Sequence, residues 1–299
     1  PTSRPATATS PDSPATRRPR RRSRVGVALA AGGMALVLIG VASAVALVAP
    51  RLRGADESAP PAPSIVVRTP SASPTPTDYT ALLIDHPFNS QELGRWSCEV
   101  SVTAPRRQQA LDRWVGTIVD CLDKRFAEPM EQAGYKAATP RRKFFSGDVA
   151  TDCGESKAAA FYCSADETIY LDADEIGNYV DTMRLGAFHV IFHEYVHHVQ
   201  QRVGIMRASQ DFTPDRGKRQ VTVRRLELQA DCMYVSSLRR MRQAQWSAAD
   251  AAELIDWRST AGDDTHGLAS TQKKWLKAGI ESDSMSACNT WNVDRTEVA

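Results

Sequence analysis

Residues 187–200 read AFHVIFHEYVHHVQ, an apolar run in which His193 and His197 stand four apart and Glu194 directly follows the first. On an α-helix, positions i and i+4 share a face, so both imidazoles can be aimed at one point. Zinc accepts neutral imidazole nitrogens at about 2.0–2.1 Å, and a catalytic zinc keeps one position open for water. Glu194 lies three residues before His197 and borders the same face. A carboxylate there can take a proton from a water that the metal activates and pass it to a leaving amine. The chemistry this spacing suits is metal-assisted hydrolysis of an amide.

Two donors do not hold a zinc, so a third must come from elsewhere. The metzincin continuation needs Gly three residues after the second His and another His three further on. Gln200 and Val203 occupy those positions, which excludes it. Downstream, RRLELQADCMYV sets Glu227 and Asp231 four apart among Leu226, Leu228, Ala230, Met233 and Val235. Such apolar neighbours argue for a buried helix rather than a solvated acidic patch. One carboxylate can bind the metal while the other accepts a hydrogen bond from a ligand histidine's far nitrogen and fixes its tautomer. That division favours Glu227 as ligand and Asp231 as the outer partner.

Other groups compete for attention. His198 is turned about 100° from His197 on a helix, so it reads as a packed or surface histidine. His189, one turn before His193, could line a cleft or belong to the core. His266, in the turn-forming stretch GDDTHG, is a candidate catalytic group that hydrogen-bonds a developing oxyanion. Tyr195 and Tyr234 could do the same, and nothing in the sequence ranks them.

The elements that must position these residues follow from pattern. One helix is expected at 184–203, stopping before Gly204. A Gly/Pro/Asp loop at 209–217 precedes a second helix at 219–242, and Ser247 with Asp250 resembles a capping box for a third at 248–258. Upstream, apolar residues at 111, 114, 115, 118, 119, 122 and 126 form the stripe of a core helix, with Pro105 suited to its first position. KFFSGDVA and AFYCSADETIYLD read as strands, the second with a turn at Ser164–Glu167. The fold class is α+β: a small sheet followed by a mainly helical half.

Of the 299 residues, 42% are hydrophobic and 24% charged, but the first 80 are unlike the rest. Residues 1–53 hold nine Arg and one acid, Asp12, so the overall +2 conceals a remainder with 28 bases against 34 acids, net −6. A mildly acidic domain gives no support for nucleic-acid binding. Residues 1–24 have the composition of a disordered, Arg-rich cytoplasmic tail. Residues 25–49 carry no charge and are long enough to cross a lipid bilayer as a helix. A cleaved signal peptide competes, with ASAVA at 42–46 as cleavage site, but its apolar core would normally be about 7–15 residues. The six Arg at 17–24 place the N-terminus in the cytoplasm and everything after residue 50 outside. Residues 50–78 form a Pro/Ser/Thr-rich tether, and 79–299 the extracytoplasmic domain.

All six cysteines (Cys98, Cys121, Cys153, Cys163, Cys232, Cys288) follow the span, and an even count in an exported domain implies three disulfides. Fifteen pairings are possible. Cys153–Cys163 is favoured as a short clip across a loop.

HEYVHHVQ, LELQADC, FYC…IYLD, GDD…HG at 262–267 and the closing CNTW together resemble the neutral zinc metallopeptidase family of bacteria, with a gluzincin-like ligand set. The match runs from Cys153 to Trp291 with its motifs in order. The resemblance implies one N-terminal transmembrane helix and an extracytoplasmic zincin-like domain holding one Zn2+. It assigns the metal to His193, His197 and Glu227 and the base to Glu194. Val196 departs from it, since the family usually has Gly there, and a β-branched side chain could crowd the site. A Cys232–Cys288 bond would pin the C-terminal tail to the third-ligand helix and leave Cys98–Cys121 as the remaining pair.

The expected function is therefore a membrane-anchored zinc endopeptidase acting on protein or peptide. Two alternatives stand beside it: an envelope binding or assembly protein that keeps zinc as structural glue, and a zinc hydrolase of cell-wall peptides.

Overall fold

The computed structural model describes residues 80–210, 212, 218–258 and 262–299. The tail, span and tether expected within 1–78 lie outside the described residues. Among the described residues no helix is long and apolar enough to cross a membrane.

After short helical turns at Thr80–Ile84 and Pro87–Ser90 come a long helix, α1 (Gln108–Gln132), and then a small sheet region: β1 (Arg141–Phe145), β2 (Val149–Thr151), β3 (Gly154–Ser156), β4 (Ala160–Cys163) and β5 (Thr168–Asp172). Among the described residues six further α-helices follow the strands: α2 (Ala173–Thr182), α3 (Gly186–Arg202), α4 (Ile205–Gln210), α5 (Arg219–Leu238), α6 (Ala248–Arg258) and α7 (Ala269–Glu281). The architecture is α+β, with small sheets and a mostly helical half.

In the main sheet β5 is central, parallel to β1 and antiparallel to β4, while β2 and β3 form a separate hairpin. KFFSGDVA is thus two strands belonging to two sheets, split at Gly147, and not one strand. The period-two alternation of strands explains why FYC and IYL are buried throughout. Tyr162, Ile169 and Leu171 face the main core, whereas Phe161, Cys163 and Tyr170 build a smaller one with Ala158. Both faces of this short sheet are covered, and Phe161 stacks on Tyr170 with ring centroids 4.9 Å apart.

Two helix boundaries differ from expectation. Pro105 does not begin α1: Arg107 is the N-cap, and the preceding segment is irregular with bends at 102–103 and 106–107, held by the Trp114 indole donating to Ser101 O at 2.8 Å. The second long helix stops at Leu238, short of 242, because the chain turns there to pair with Trp96 (Arg242 N to Trp96 O, 2.9 Å). Tertiary pairing overrides helix propensity at that end. The expected stop of α3 at Gly204 is observed, with φ +82°. Ser247 and Asp250 cap α6 reciprocally: Asp250 Oδ2 accepts from Ser247 N at 2.8 Å, and Ser247 Oγ from Asp250 N at 3.3 Å.

Cys98–Cys121, Cys153–Cys163 and Cys232–Cys288 are disulfide-bonded, and no cysteine is free. The third ties α5 to the closing segment. Closing loops of this size contributes about 2–4 kcal/mol each by restricting the unfolded chain.

Candidate metal centre

Helix α3 is buried from Gly186 to Gln200 and α5 from Arg225 to Leu238, polar residues included, so both run through the inside of the protein. Their contact brings together residues 30 or more apart. His193 Nε2 lies 3.1 Å from Glu227 Oε2, His197 Nε2 lies 3.2 Å from the same oxygen, and the two Nε2 atoms are 3.1 Å apart. A third imidazole arrives from the loop between α6 and α7: His266 Nε2 stands 3.4 Å from Glu227 Oε2. All four side chains are at most 5% exposed.

Each ring is fixed through its other nitrogen. His193 Nδ1 donates to Asp231 Oδ1 at 3.0 Å, and Asp231 is itself gripped by Arg258 Nη2 at 2.9 and 2.7 Å. His197 Nδ1 donates to Gln200 Oε1 at 2.9 Å. The amide of Gln200 can only accept there, because its Nε2 is committed to Leu226 O at 2.9 Å and Gln229 Oε1 at 3.0 Å. Gln229 continues the chain of contacts to Trp291 Nε1 at 3.3 Å. Thus the closing CNTW reaches the centre through two buried amides.

Sequence reasoning found Asp231 but missed Gln200 and Arg258. Gln200 carried a signal, being three residues past His197 on an otherwise apolar helix. Arg258 carried none, since only the packing of α6 brings it to Asp231.

These contacts make a sharp test of whether a cation fits. With both Nδ1 protons committed, the Nε2 atoms of His193 and His197 turn lone pairs toward each other and toward a carboxylate oxygen. Neutral rings in that arrangement repel unless a cation, a proton or a metal ion, sits among them. Donors 2.0–2.1 Å from a tetrahedral zinc stand about 3.3 Å apart, close to the 3.1–3.2 Å separations among His193, His197 and Glu227 and to the 3.4 Å from His266 to Glu227. Charge balance agrees. Glu194, Glu227 and Asp231 are 2%, 2% and 0% exposed, and the only cation among them is the Arg258 guanidinium. With neutral imidazoles the buried set carries two uncompensated negative charges, a severe cost unless they are met. One divalent ion meets them, and the donor set fits it.

The electrostatics follow. Burial by itself would raise Glu227, but His197, His193 and His266 outweigh it and hold the carboxyl well below the usual range. Burial would depress the three imidazoles, yet Asp231, Glu227 and Asp263 reverse it, taking His193 up to about 10. Glu194 goes the other way: burial raises it above an ordinary glutamate, partly opposed by His193 and His197 and by a hydrogen bond from the Tyr162 backbone.

The remaining histidines and tyrosines lie outside the cluster. His198 is packed, with Nε2 on Ala138 O at 2.6 Å and Nδ1 on Tyr162 Oη at 3.1 Å. His189 packs edge-on against Tyr234 and Trp246. Tyr195 donates to Asp123 Oδ1 at 2.6 Å, so its hydroxyl is spent on α1. Tyr234 packs its ring 5.7 Å from that of His193. Val196 is buried in the main core.

Fold and site together define an α+β protein whose helical half carries a buried His/Glu set able to hold a metal ion; His193, Glu227 and His266 each offer a donor within 4.8 Å of the others. The chain belongs to the family described as "Putative neutral zinc metallopeptidase", whose family model matches residues 75–291. It is similar to the uncharacterized protein YpfJ of Escherichia coli (strain K12), 27% identical over 241 residues, covering 72% of this chain and 80% of the relative. It is also similar to the uncharacterized protein Rv2575 of Mycobacterium tuberculosis (strain ATCC 25618 / H37Rv), 29% identical over 186 residues, covering 51% of this chain and 62% of the relative. No solved structure matches the chain.

Proposed function

We propose that this chain is a membrane-anchored, zinc-dependent peptidase of zincin-like fold that cleaves within protein or peptide chains, with the domain 79–299 outside the cytoplasmic membrane. The observation that carries the reading is the meeting of His193 Nε2, His197 Nε2 and Glu227 Oε2 within 3.1–3.2 Å of one another beside the buried Glu194. His193, His197 and Glu227 would hold one zinc ion, which supplies Lewis acidity to the scissile carbonyl and to the attacking water. Asp231 and Gln200 keep the two α3 rings in the tautomer that offers Nε2 outward. Glu194, raised by burial, is suited to accept the water's proton and return it to the amine that leaves. Arg258 holds Asp231 ionised, so that His193 stays oriented.

The uncharged stretch 25–49 and the Arg cluster before it support the anchor and its orientation. Three disulfides, all after that stretch, support an oxidising compartment.

Glu194→Gln removes the base and leaves the donors intact. The expected result is one zinc per chain with turnover of a peptide library abolished, and undiminished turnover would remove this mechanism. A second reading, an envelope binding protein that keeps zinc as structural glue, is favoured by one observation: the His266 imidazole at the edge of the donor set. Metal retention without new peptide termini in wild type would select it.

A further inference from the structure

His266 differs from the other donors in how it is held. It lies on the loop before α7, and a local turn fixes it. Asp263 Oδ1 accepts from the backbone of Thr265 and His266 at 2.8 and 2.6 Å, and Asp263 N and O pair with Gly267 O and N at 3.0 and 2.9 Å. Gly267 takes φ +77°, and a Cβ there would meet Ala299 O at 2.7 Å. The carbonyl of Ala299 in turn accepts from Leu268 N at 3.0 Å and Thr271 Oγ1 at 2.7 Å, so the C-terminal residues brace the loop.

The ring inside this brace is 1% exposed. Its Nδ1 faces acceptors: Asp263 Oδ1 at 3.2 Å, and Thr265 Oγ1 at 2.9 Å, whose own hydrogen goes to Asp263 Oδ1 at 2.8 Å. The N–H is therefore on Nδ1, and the lone pair is on Nε2. That nitrogen is buried, has no hydrogen-bond partner, and points into the donor cluster. His193 with Asp231 and His197 with Gln200 show the same arrangement, an oxygen on Nδ1 and Nε2 turned toward Glu227. With the proton on Nδ1, Nε2 of the neutral ring offers a lone pair, as a metal donor must.

We infer that His266 is a fourth protein donor, so that the resting centre takes its metal in a closed set of three imidazoles and one carboxylate. This rests on the metal reading proposed above. Four protein donors fill a tetrahedral zinc. Approach of the attacking water or of a substrate carbonyl then requires a fifth neighbour or the departure of His266, the one donor carried on a loop rather than on α3 or α5.

The test uses the full 299-residue chain with its disulfides formed, stripped by chelator and reloaded with zinc or cobalt(II). Zinc K-edge absorption of wild type is expected to count three imidazoles, and two would overturn the inference without needing any variant. His266→Ala should lose more than about 100-fold in zinc affinity, beyond the 10–100-fold expected for the outer partner in Asp263→Asn. Its cobalt(II) visible spectrum should change, and added imidazole should restore it. Zinc affinity within about threefold of wild type with an unchanged spectrum would overturn it. His193→Ala separates the two readings. If wild type holds one zinc and His193→Ala loses it while His266→Ala does not, the metal centre stands and only the role of His266 falls. If wild type takes up no zinc, both fall.

Discussion

The chain has six histidines, and the folded domain sorts them into two regions of three. At the junction of α3, α5 and the loop before α7, His193, His197 and His266 meet oxygen acceptors at Nδ1 and a shared carboxylate at Nε2. In the surrounding packing, His86, His189 and His198 are as deeply buried, but their neighbours are backbone carbonyls, hydroxyls and rings. Burial acts on all six alike and depresses each imidazole. Only the first group has carboxylates close enough to reverse it, so those rings are raised while His86 and His198 are lowered and His189 falls to about 3. Burial alone therefore does not separate the two groups. The partner of each ring nitrogen does.

Adjacent residues on α3 give the most direct way to break this division. His197→Ala should cost more than about 100-fold in zinc affinity, since it deletes a donor rather than an outer partner. His198→Ala, one residue on, should leave zinc affinity within about threefold and instead cost about 1–3 kcal/mol of stability, because it strands Ala138 O and the Tyr162 hydroxyl. Chelator competition and chemical denaturation of the two variants decide the matter, and similar profiles would erase the boundary.

A smaller effect is expected one shell outward. Gln200→Ala leaves His197 Nδ1 without its acceptor and should lower zinc affinity about 10–100-fold, with Gln200→Glu recovering part of it. No change in Gln200→Ala would mean that the amide relay to Trp291 serves packing alone.

The smallest effect is a pH dependence in the second region. His86 is neutral when folded: Nδ1 accepts from Phe88 N at 3.1 Å and Nε2 donates to Val203 O at 2.9 Å. Burial lowers its folded value below 6.5, so between that value and 6.5 the unfolded chain binds a proton that the folded chain does not. Its contribution is complete above pH 6.5 and is lost as pH falls, by at most about 1.4 kcal/mol per pH unit. Metal-free wild type should therefore lose stability relative to His86→Gln between pH 7 and pH 5, and a constant difference would contradict the assignment.

Much of this was legible before folding because it depends on local periodicity. The i, i+4 spacing of His193 with His197, and of Glu227 with Asp231, places each pair on one helical face whatever surrounds it. The aromatic and β-branched runs FYC and IYLD on either side of a turn marked strands, although KFFSGDVA concealed two strands in two sheets, since pairing partners are chosen at a distance. The helix expected to 242 ended at Leu238 for the same reason: Trp96 supplied a competing partner. Arg258 could not be read as the clamp on Asp231, nor Gln200 as an oriented acceptor, because each role depends on what a different helix brings alongside.

By itself the sequence determined the donor types, their spacing within α3 and within α5, and the apolar context that forces both helices inward. Only the tertiary structure decided that His193, His197 and His266 meet around one oxygen of Glu227, and which nitrogen of each ring faces it. The physical reason is that helical spacing acts over one or two turns, whereas Glu227 lies 34 and 30 residues from His193 and His197, and Arg258 lies 27 from Asp231, so these groups touch only after packing.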